Sequence, residues 1–356
     1  MTPHRARHLT TIPDLADLNA PCEHKPVVID RPVVLYGKGE LGKMAHDYLA
    51  AIGVVEAGWV DSGNVEMVHE PLRPEMLTLI AIAKHPYVPI EQGLMARGFT
   101  NVAPFLDVTP NHPEHPLANG WFADPLDIDK VQAVLDMFDD DVSRAHYVQF
   151  LAWRRLREEW TFEGAPVDVH GPRYWPYEVA SVLNQGAEVF IDGGSYDGKV
   201  SEAFEYRFGG NAMPIDAAHQ RGAPWYSIRC VLTDADGPVP FVSDYGYANR
   251  VRPPLSDIHA KSGTGTTLDS LIPGVIPTFV KLHLEGHELP VLRGAVKTIE
   301  THRPILAVTT YHNDDGIDRI PAFMRDHCSD CRFLWRNSAY VGEGAVAFAI
   351  PSERAC

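Results

Sequence analysis

The sequence predicts an α/β protein of two domains, each built on a parallel sheet with helices on its faces. Short apolar runs rich in β-branched residues alternate with segments whose apolar residues recur at helical spacing. A glycine-rich turn follows the first strand of each such series, and 356 residues are enough for two domains. Alternating strands and helices favour a parallel sheet, because parallel strands need a crossover that is usually helical.

The order of these patterns divides the chain into four regions. Residues 1–30 show no clear periodicity and are predicted to form an N-terminal arm. A small first α/β domain is predicted over residues 31–120, followed by a helical linker over residues 121–166. The segment 111–124 supports this boundary because it is rich in His, Pro and Asn, the composition of a linker. The second α/β domain is predicted over residues 167–356.

The charge balance narrows the expected partners. The chain carries 31 basic and 47 acidic residues, a formal net charge of −16. This field repels phosphate backbones and anionic lipids, so nucleic acid and membranes are not expected partners. No apolar run approaches the roughly 20 residues of a membrane-spanning helix, and residues 1–20 lack the apolar segment of a secretory signal.

The five cysteines favour free thiols. Their odd, sparse number indicates a reducing compartment, so we expect a cytoplasmic location. Cys328 and Cys331 form one CxxC pair, and a structural zinc site would need a second pair at suitable spacing, which the sequence lacks. We interpret the pair as ordinary thiols, with redox or metal chemistry as the alternative.

The first domain is predicted to begin with a strand at Arg31–Tyr36 that leads directly into a glycine-rich turn. Gly37, Gly39 and Gly42 match the G-x-G-x-x-G pattern of dinucleotide-binding domains. Asp61 ends the next predicted strand, where an acidic residue would bind a ribose hydroxyl. We therefore predict a nucleotide as a possible ligand; the alternatives are a turn that only packs its helix on its strand, and NAD-dependent redox chemistry. Further strands are predicted at 54–60, 77–83 and 102–105, with helices at 43–52 and 90–98.

The remaining elements follow the same reasoning. Two amphipathic helices are predicted in the linker, at 128–138 and 143–159. In the second domain, strands are predicted at 188–191, 226–232, 239–243, 278–284, 305–310, 331–334 and 345–350, and helices at 201–208, 289–299 and 320–327.

The second glycine-rich turn follows the first strand of the second domain. It contains no G-K-S/T sequence, so it is not a Walker-type phosphate loop. A carboxylate at a strand end suits a ligand with a cationic amine, such as S-adenosyl-L-methionine (SAM), which has an amino-acid tail and no phosphate. The predicted cofactor residues of this turn are Asp192, Gly193, Gly194, Ser195, Asp197 and Gly198.

A polar pattern marks the strand that begins at Thr278. Lys281, His283 and Glu285 alternate along it and would share one face, and Glu288 follows in the next loop. Burying three polar side chains on one face is costly without a ligand or partners, which favours a functional site. The alternative is a structural ion pair such as Lys281–Glu285.

Together these motifs resemble the FkbM-type SAM-dependent methyltransferases. The chain has, in that family's order, Asp192–Gly198, Leu268-Asp269, Lys281–Glu288 with Leu292–Ala295, and Arg303-Pro304. The segment Tyr311–Pro321 is similar to one branch of the family, and the resemblance spans roughly residues 170–352.

The resemblance implies a Rossmann-like methyltransferase domain preceded by a smaller Rossmann-like domain. It implies O-methylation of a hydroxyl on a small metabolite or a sugar-linked acceptor, with SAM at the second glycine turn. His283, Glu285, Lys281 and Glu288 are the predicted catalytic residues. Asp216 and Asp234 complete the predicted cofactor set, and no metal site is predicted.

Two departures from the family pattern support a different function as an alternative. His283 stands where the family has Asp, and the segment between the glycine turn and Val231 looks too short for the second strand, which leaves Asp216 as the residue for the SAM ribose. The alternative is a catalytically degenerate methyltransferase fold that binds a nucleotide or nucleotide sugar, or serves in assembly.

Overall fold

The fold was determined as a computed structural model, which describes residues 1–61, 64–68, 73–112, 115, 117, 124–217, 226–242, 250–251 and 260–354. The chain divides into two compact units that interleave along the sequence. Unit 1 consists of residues 1–128, 144–170 and 337–344, and unit 2 of residues 129–143, 171–336 and 345–356. The α/β class predicted from the sequence is confirmed.

In the first half of the chain the predicted strands and helices are present, together with three strands that were not predicted, at Ala6–Leu9, Asn64–Val68 and Glu159–Phe162. They are β1 (Ala6–Leu9), β2 (Val33–Tyr36), α1 (Glu40–Ala51), β3 (Gly58–Asp61), β4 (Asn64–Val68), β5 (Leu77–Ile80), α2 (Tyr87–Ala96), β6 (Asn101–Pro104), α3 (Ile128–Met137), α4 (Asp141–Leu156) and β7 (Glu159–Phe162).

Unit 1 is built on a five-stranded sheet in the order β4-β3-β2-β5-β6. All its pairs are parallel except β3 with β4. The inner strands β2 and β5 bury nearly every side chain, as expected for strands covered by helices on both faces. The predicted N-terminal arm contains a strand that sequence reasoning did not assign, since β1 pairs in parallel with β7.

A late segment of the chain completes unit 1. Residues 337–344 reach α4 through Arg154, which donates from Nε to the Gly342 carbonyl at 2.9 Å and pairs with Glu343 at 3.1 Å. Asn337 donates its backbone N–H to His146 Nδ1 at 3.1 Å. Gly342 has φ +69, and a Cβ there would lie 2.7 Å from Arg154 Nε. This position therefore needs glycine.

The second half of the chain supplies most of unit 2. Its elements are α5 (Tyr177–Ala180), β8 (Val189–Gly193), α6 (Lys199–Phe208), β9 (Asn211–Asp216), β10 (Ile228–Arg229), β11 (Val231–Leu232), β12 (Gly237–Val242), β13 (Arg250–Val251), β14 (Ala260–Thr266), α7 (Leu268–Leu271), β15 (Phe279–Leu282), α8 (Glu288–Arg293), α9 (Val296–His302), β16 (Ile305–Thr309), α10 (Arg319–His327), β17 (Cys331–Asn337) and β18 (Ala345–Pro351).

The main sheet of unit 2 has seven strands in the order β10-β9-β8-β15-β16-β18-β17. The strands from β10 to β16 pair in parallel, and β18 is antiparallel to β16. The first strand, β8, therefore lies in the middle, where the strand order reverses direction. In open α/β sheets, ligands bind at such a switch point, beyond the carboxyl ends of the strands.

Aromatic side chains form the core beside β8. Phe190 stacks on Phe204 of α6 with ring centroids 4.3 Å apart, and packs at a tilt against Phe279 of β15 with centroids 5.1 Å apart. Trp175 packs edge-on against the first two of these rings. This core fixes α6 and β15 on either side of β8, and with them the loops at the carboxyl edge.

Three predicted elements of unit 2 differ from the structure. The second strand is present as β9, although sequence reasoning assigned no strand there and read the segment as shortened. The strand predicted at 226–232 is split into β10 and β11, which belong to different sheets. The helix predicted at 289–299 is split into α8 and α9 at Gly294, where a Cβ would lie 2.2 Å from the Thr233 carbonyl oxygen.

In the part of the chain that the structure describes, no helix is both long enough and apolar enough to cross a membrane.

Candidate active site

A buried ion pair lies at the centre of the unit 2 sheet. Lys281 on β15 and Asp192 on β8 occupy paired register positions, and Lys281 Nζ donates to Asp192 Oδ1 at 2.7 Å. Burial opposes the charge on Lys281, but Asp192 beside it holds the pKa of the ammonium above its usual value. The structural alternative named the wrong partner, since Lys281 pairs with Asp192 and not with Glu285.

Both oxygens of the Asp192 carboxylate accept hydrogen bonds, Oδ1 from Lys281 and Oδ2 from Ser201. Oδ2 accepts a hydrogen bond from the Ser201 hydroxyl at 2.7 Å, and the residue is completely buried. The expectation that this carboxylate contacts the amine of a ligand does not fit its burial. Asp192 instead holds Lys281 in place, and Lys281 also donates to the carbonyls of Gly193 (3.2 Å) and Gly194 (2.7 Å). The pair therefore supports the backbone of the turn.

The glycines of the turn allow it to lie against the end of β15. A Cβ on Gly194 would lie 1.8 Å from the His283 carbonyl oxygen, and one on Gly193 would lie 2.9 Å from Leu282 Cδ2. Gly194 and Gly198 have φ of +75° and +79°, a region that favours glycine. The turn therefore brings its backbone directly beside the loop that carries His283.

Asp216, the residue predicted for the SAM ribose, lies beside the glycine turn. It ends β9, and its Oδ2 accepts the backbone N–H of Tyr196 in the glycine turn at 2.8 Å. Tyr196 has φ +50, so a non-glycine residue is held in the left-handed region at this point. This hydrogen bond joins the end of β9 to the glycine turn, so the two lie side by side.

Two other turn residues have different surroundings. Ser195 is buried, and its hydroxyl oxygen has no hydrogen-bond partner within the described chain. Asp197 accepts from the backbone N–H of Lys199 at 3.2 Å and also pairs with its ammonium. An unpartnered buried hydroxyl is costly, so the turn is better satisfied with a polar ligand bound.

His283 is surrounded by aromatic and charged groups. Its Nδ1 lies 2.5 Å from the Tyr174 hydroxyl, and its Nε2 lies 3.4 Å from the Tyr311 hydroxyl and 3.2 Å from Glu285 Oε1. Burial, assisted by His312 and Lys281, lowers the pKa of His283 well below its usual value. The imidazole is therefore neutral near pH 7.

Glu288 holds the loops of the site together. It accepts backbone hydrogen bonds from Leu284 (2.8 Å) and Gly286 (3.0 Å), the hydroxyl of Thr309 (2.8 Å), and contacts His312 Nδ1 at 2.6 Å. Burial would raise the pKa of this carboxyl, but His312 and the donated hydrogen bonds lower it to about 2. Glu288 was predicted as catalytic; its completely engaged carboxylate is suited to positioning.

Glu285 completes a compact cluster with two histidines. It lies beyond the end of β15, so the strand alternation predicted for it does not extend that far. Its Oε1 is 3.2 Å from His283 Nε2 and 3.6 Å from His312 Nε2. Sequence reasoning did not select His312 as a site residue; the signal available was its place in the segment Tyr311–Pro321, which is similar to one branch of the family.

Asp234 lies on a neighbouring loop. It accepts a hydrogen bond from Thr233 Oγ1 at 3.2 Å, and Thr233 Oγ1 also lies 3.2 Å from His287 Nε2. The structure therefore places Asp234 beside the loop that follows Glu285, outside the group formed by the glycine turn and Asp216.

The first glycine turn is shaped by packing within unit 1. A Cβ on Gly37 would lie 2.7 Å from the Ala81 carbonyl oxygen, and one on Gly42 would lie 2.1 Å from the Gly37 carbonyl oxygen. The Trp59 indole donates to that same Gly37 carbonyl at 2.7 Å, while no atom of the described residues lies within 4 Å of the Cβ position of Gly39. Asp61 ends β3 as predicted, and the nucleotide site itself stays a prediction.

Four cysteines, Cys22, Cys230, Cys328 and Cys331, are free thiols, and Cys356 lies outside the described residues. Hydrogen bonding from Cys328 lowers the pKa of the Cys331 thiol.

Comparisons with known proteins were made for the whole chain. Residues 252–334 match the family model of the methyltransferase FkbM domain. Among solved structures, the chain is similar to the crystal structure of methyltransferase FkbM from Methylobacillus flagellatus KT, with a TM-score of 0.56 and 15% sequence identity over 90% of each chain. No curated protein matches the chain at a significant level.

The structural likeness shows a shared fold, a Rossmann-like methyltransferase fold, and the family match supports methyltransferase activity. The resemblance to FkbM methyltransferases inferred from sequence motifs is confirmed. The matched segment includes the predicted catalytic residues Lys281, His283, Glu285 and Glu288.

Proposed function

We propose that this protein is a SAM-dependent O-methyltransferase that acts on a hydroxyl of a small metabolite or a sugar-linked acceptor. The observation that carries the proposal is the junction of the glycine turn, Asp216 and the His283 loop at the switch point of the sheet. The family match over the adjoining segment supports the same chemistry.

The residues at this junction fit such a cofactor. The Asp216 carboxylate at the end of β9 is suited to the ribose hydroxyls, and the unpartnered Ser195 hydroxyl is suited to a polar group of the ligand. The N-terminus of α6 leaves backbone N–H groups at the turn. Asp192 and Lys281 would not contact the cofactor. They would hold the carbonyls of the turn in place.

The acceptor end of the site is formed by His283, Glu285 and the tyrosines Tyr174 and Tyr311. When bound, the cofactor supplies a methyl group already activated by a sulfonium. The chain must align the acceptor oxygen with that methyl group, and alignment alone can contribute several kcal/mol. It must also remove the hydroxyl proton, and a neutral imidazole such as His283 can accept it near pH 7.

Glu285 would support His283 in this role. A carboxylate 3.2 Å from Nε2 stabilises the imidazolium that forms when the proton arrives. The Tyr174 hydroxyl at Nδ1 fixes the orientation of the ring. The small-molecule partner and the cytoplasmic location expected from the sequence belong to this proposal.

The first experiment is thermal unfolding with and without SAM or S-adenosylhomocysteine. At 100 times the dissociation constant, binding adds about 2.7 kcal/mol to the free energy of unfolding, which raises Tm by roughly 5–10 °C. Asp216→Asn should weaken binding at least tenfold, while Asp326→Asn, an exposed aspartate on α10, should leave it unchanged. No shift with millimolar ligand would overturn the proposal and favour a fold retained for binding another molecule.

Asp192 is not a suitable residue for this test. Its loss would leave the Lys281 ammonium buried without its carboxylate, so reduced binding could reflect a damaged turn.

A further inference from the structure

We propose that His283, Glu285 and His312 bind one divalent transition-metal ion, of the class of Zn²⁺, Fe²⁺ or Co²⁺. Each residue offers one ligand atom, and the three atoms lie within 4.8 Å of one another. Glu285 Oε1 lies between the imidazoles, 3.2 Å from His283 Nε2 and 3.6 Å from His312 Nε2. These are separations that a single ion bound at about 2.0–2.2 Å from each atom can draw together.

The chemistry of the three donors indicates the class of ion. Two neutral imidazoles and one carboxylate are the ligands of open catalytic sites for zinc and of non-haem iron sites, and they leave coordination positions for an external oxygen. Mg²⁺ and Ca²⁺ prefer oxygen ligands and are less suited to this set.

The hydrogen-bond partners of the two histidine Nδ1 atoms are of the kind found at metal sites. His312 Nδ1 lies 2.6 Å from Glu288, and His283 Nδ1 lies 2.5 Å from the Tyr174 hydroxyl. Metal-bound histidines usually donate the other ring N–H to a carboxylate or another acceptor, which fixes the tautomer and raises ligand basicity. Both Nδ1 atoms have such a partner, and both Nε2 atoms lie within 3.6 Å of the Glu285 carboxylate.

The cluster is held in place by contacts between its two loops. Asn313 Nδ2 donates to the Gly286 carbonyl at 2.8 Å, which joins the loop of His312 to that of Glu285. Glu288 contacts both loops through His312 and the backbone of Gly286. Glu285 has φ +52, an uncommon conformation for a residue with a side chain, and such conformations concentrate at functional sites. The three ligands are therefore arranged before any ion binds.

The ion's role rests on the proposed function, whereas its binding does not. A cation at this position would hold the acceptor hydroxyl and lower the pKa of its proton, which would pass to solvent water. His283 would then act as a ligand, and the need for a separate general base would disappear.

The test uses the untagged chain with Cys328→Ser and Cys331→Ser, so that the CxxC thiols do not compete. Titration with Co²⁺ is followed by its visible d–d absorption, and Zn²⁺ competes for the same site. We expect one equivalent to bind. Glu285→Gln and His312→Gln should each weaken binding at least tenfold, with the fold of each variant verified by circular dichroism. His287→Gln, on the same loop but 3.2 Å from Thr233, should bind as well as the parent chain.

Three outcomes would overturn the metal site. They are no stoichiometric binding, equal loss in His287→Gln, and unchanged affinity in folded Glu285→Gln and His312→Gln; the last would leave the cluster as a hydrogen-bonded network only. SAM binding is measured in the same samples. Metal binding without SAM binding would keep the metal site and contradict the proposed function, and SAM binding without metal binding would do the reverse.

Discussion

Lys281 Nζ and Asp192 Oδ1 lie 2.7 Å apart at paired positions on two adjacent parallel strands, and both side chains are completely buried. Lys281 is one residue before the end of β15, and it also donates to the carbonyls of Gly193 and Gly194 in the glycine turn. The pair therefore couples the stability of unit 2 to the geometry of the turn.

The first prediction concerns this pair. Lys281→Met should lower the free energy of unfolding by about 3–5 kcal/mol, because it leaves an uncompensated buried carboxylate. Denaturant unfolding of the full chain measures the loss. The double variant Lys281→Met/Asp192→Leu should recover much of it, since neither charge then remains. A double variant no more stable than Lys281→Met would show that the charge pair is not the cause.

A second prediction separates backbone strain from steric clash at the turn. Gly194→Ala should lower the free energy of unfolding by more than about 3 kcal/mol. Its Cβ would lie 1.8 Å from the His283 carbonyl oxygen, and the backbone at φ +75 would be strained as well. Gly186→Ala is the matched control: its φ is +73, and in the part of the chain that the structure describes no atom lies within 4 Å of the new Cβ. It should cost only about 1 kcal/mol. Equal losses of Tm in the two variants would contradict the close approach.

A third prediction tests the first glycine turn in the same way. Gly42→Ala should destabilise the chain by about 1–3 kcal/mol, because its Cβ would overlap the Gly37 carbonyl. Gly39→Ala should be nearly neutral for folding, since its surroundings are open. If the turn also binds a nucleotide, thermal shifts with nucleotides should appear in the parent chain and weaken in Gly39→Ala. Shifts that persist unchanged in that variant would place the nucleotide elsewhere.

A fourth prediction concerns pH. His24 stacks on His4 with centroids 3.9 Å apart, and burial together with that neighbour lowers its pKa to about 4. In the unfolded chain His24 binds its proton near pH 6.5, whereas in the folded chain it does so only near pH 4. The free energy of unfolding therefore falls as pH decreases between these values. The half-buried position limits this loss to about 1–2 kcal/mol.

His24→Gln should reduce that pH dependence, measured by denaturant unfolding at pH 7 and pH 5. The same substitution at the exposed His8 serves as the control. An identical slope in the parent chain and in His24→Gln would assign the acid sensitivity to other groups.

The order of strands and helices was largely predictable from apolar periodicity, but β9 was not. It contains Pro214, which cannot donate to a neighbouring strand, and a proline in a short run argues against a strand. Pairing with β8 on one side and β10 on the other overrides that local signal. The departure at the second strand, which suggested a degenerate fold, rested on the apparent shortness of the segment between the glycine turn and Val231.

The site was predictable in part. Alternation predicted Lys281 and His283 on one face, and both side chains lie beside Tyr174, although β15 ends before His283. The partners of Lys281 and Glu288 were not predictable, because they depend on register between strands far apart in sequence. His312 joins the cluster only because the loop after β16 folds beside the loop after β15, a relationship that spacing along the chain does not contain.

The interleaving of the two units has a consequence for biosynthesis. The Arg154 guanidinium, translated early, bonds to Gly342 and Glu343, which leave the ribosome near the end of translation. The first unit to begin folding therefore cannot be finished until nearly all of the second has been synthesised. No single cut in the chain yields either unit whole, because each unit is built from three separate segments of the sequence.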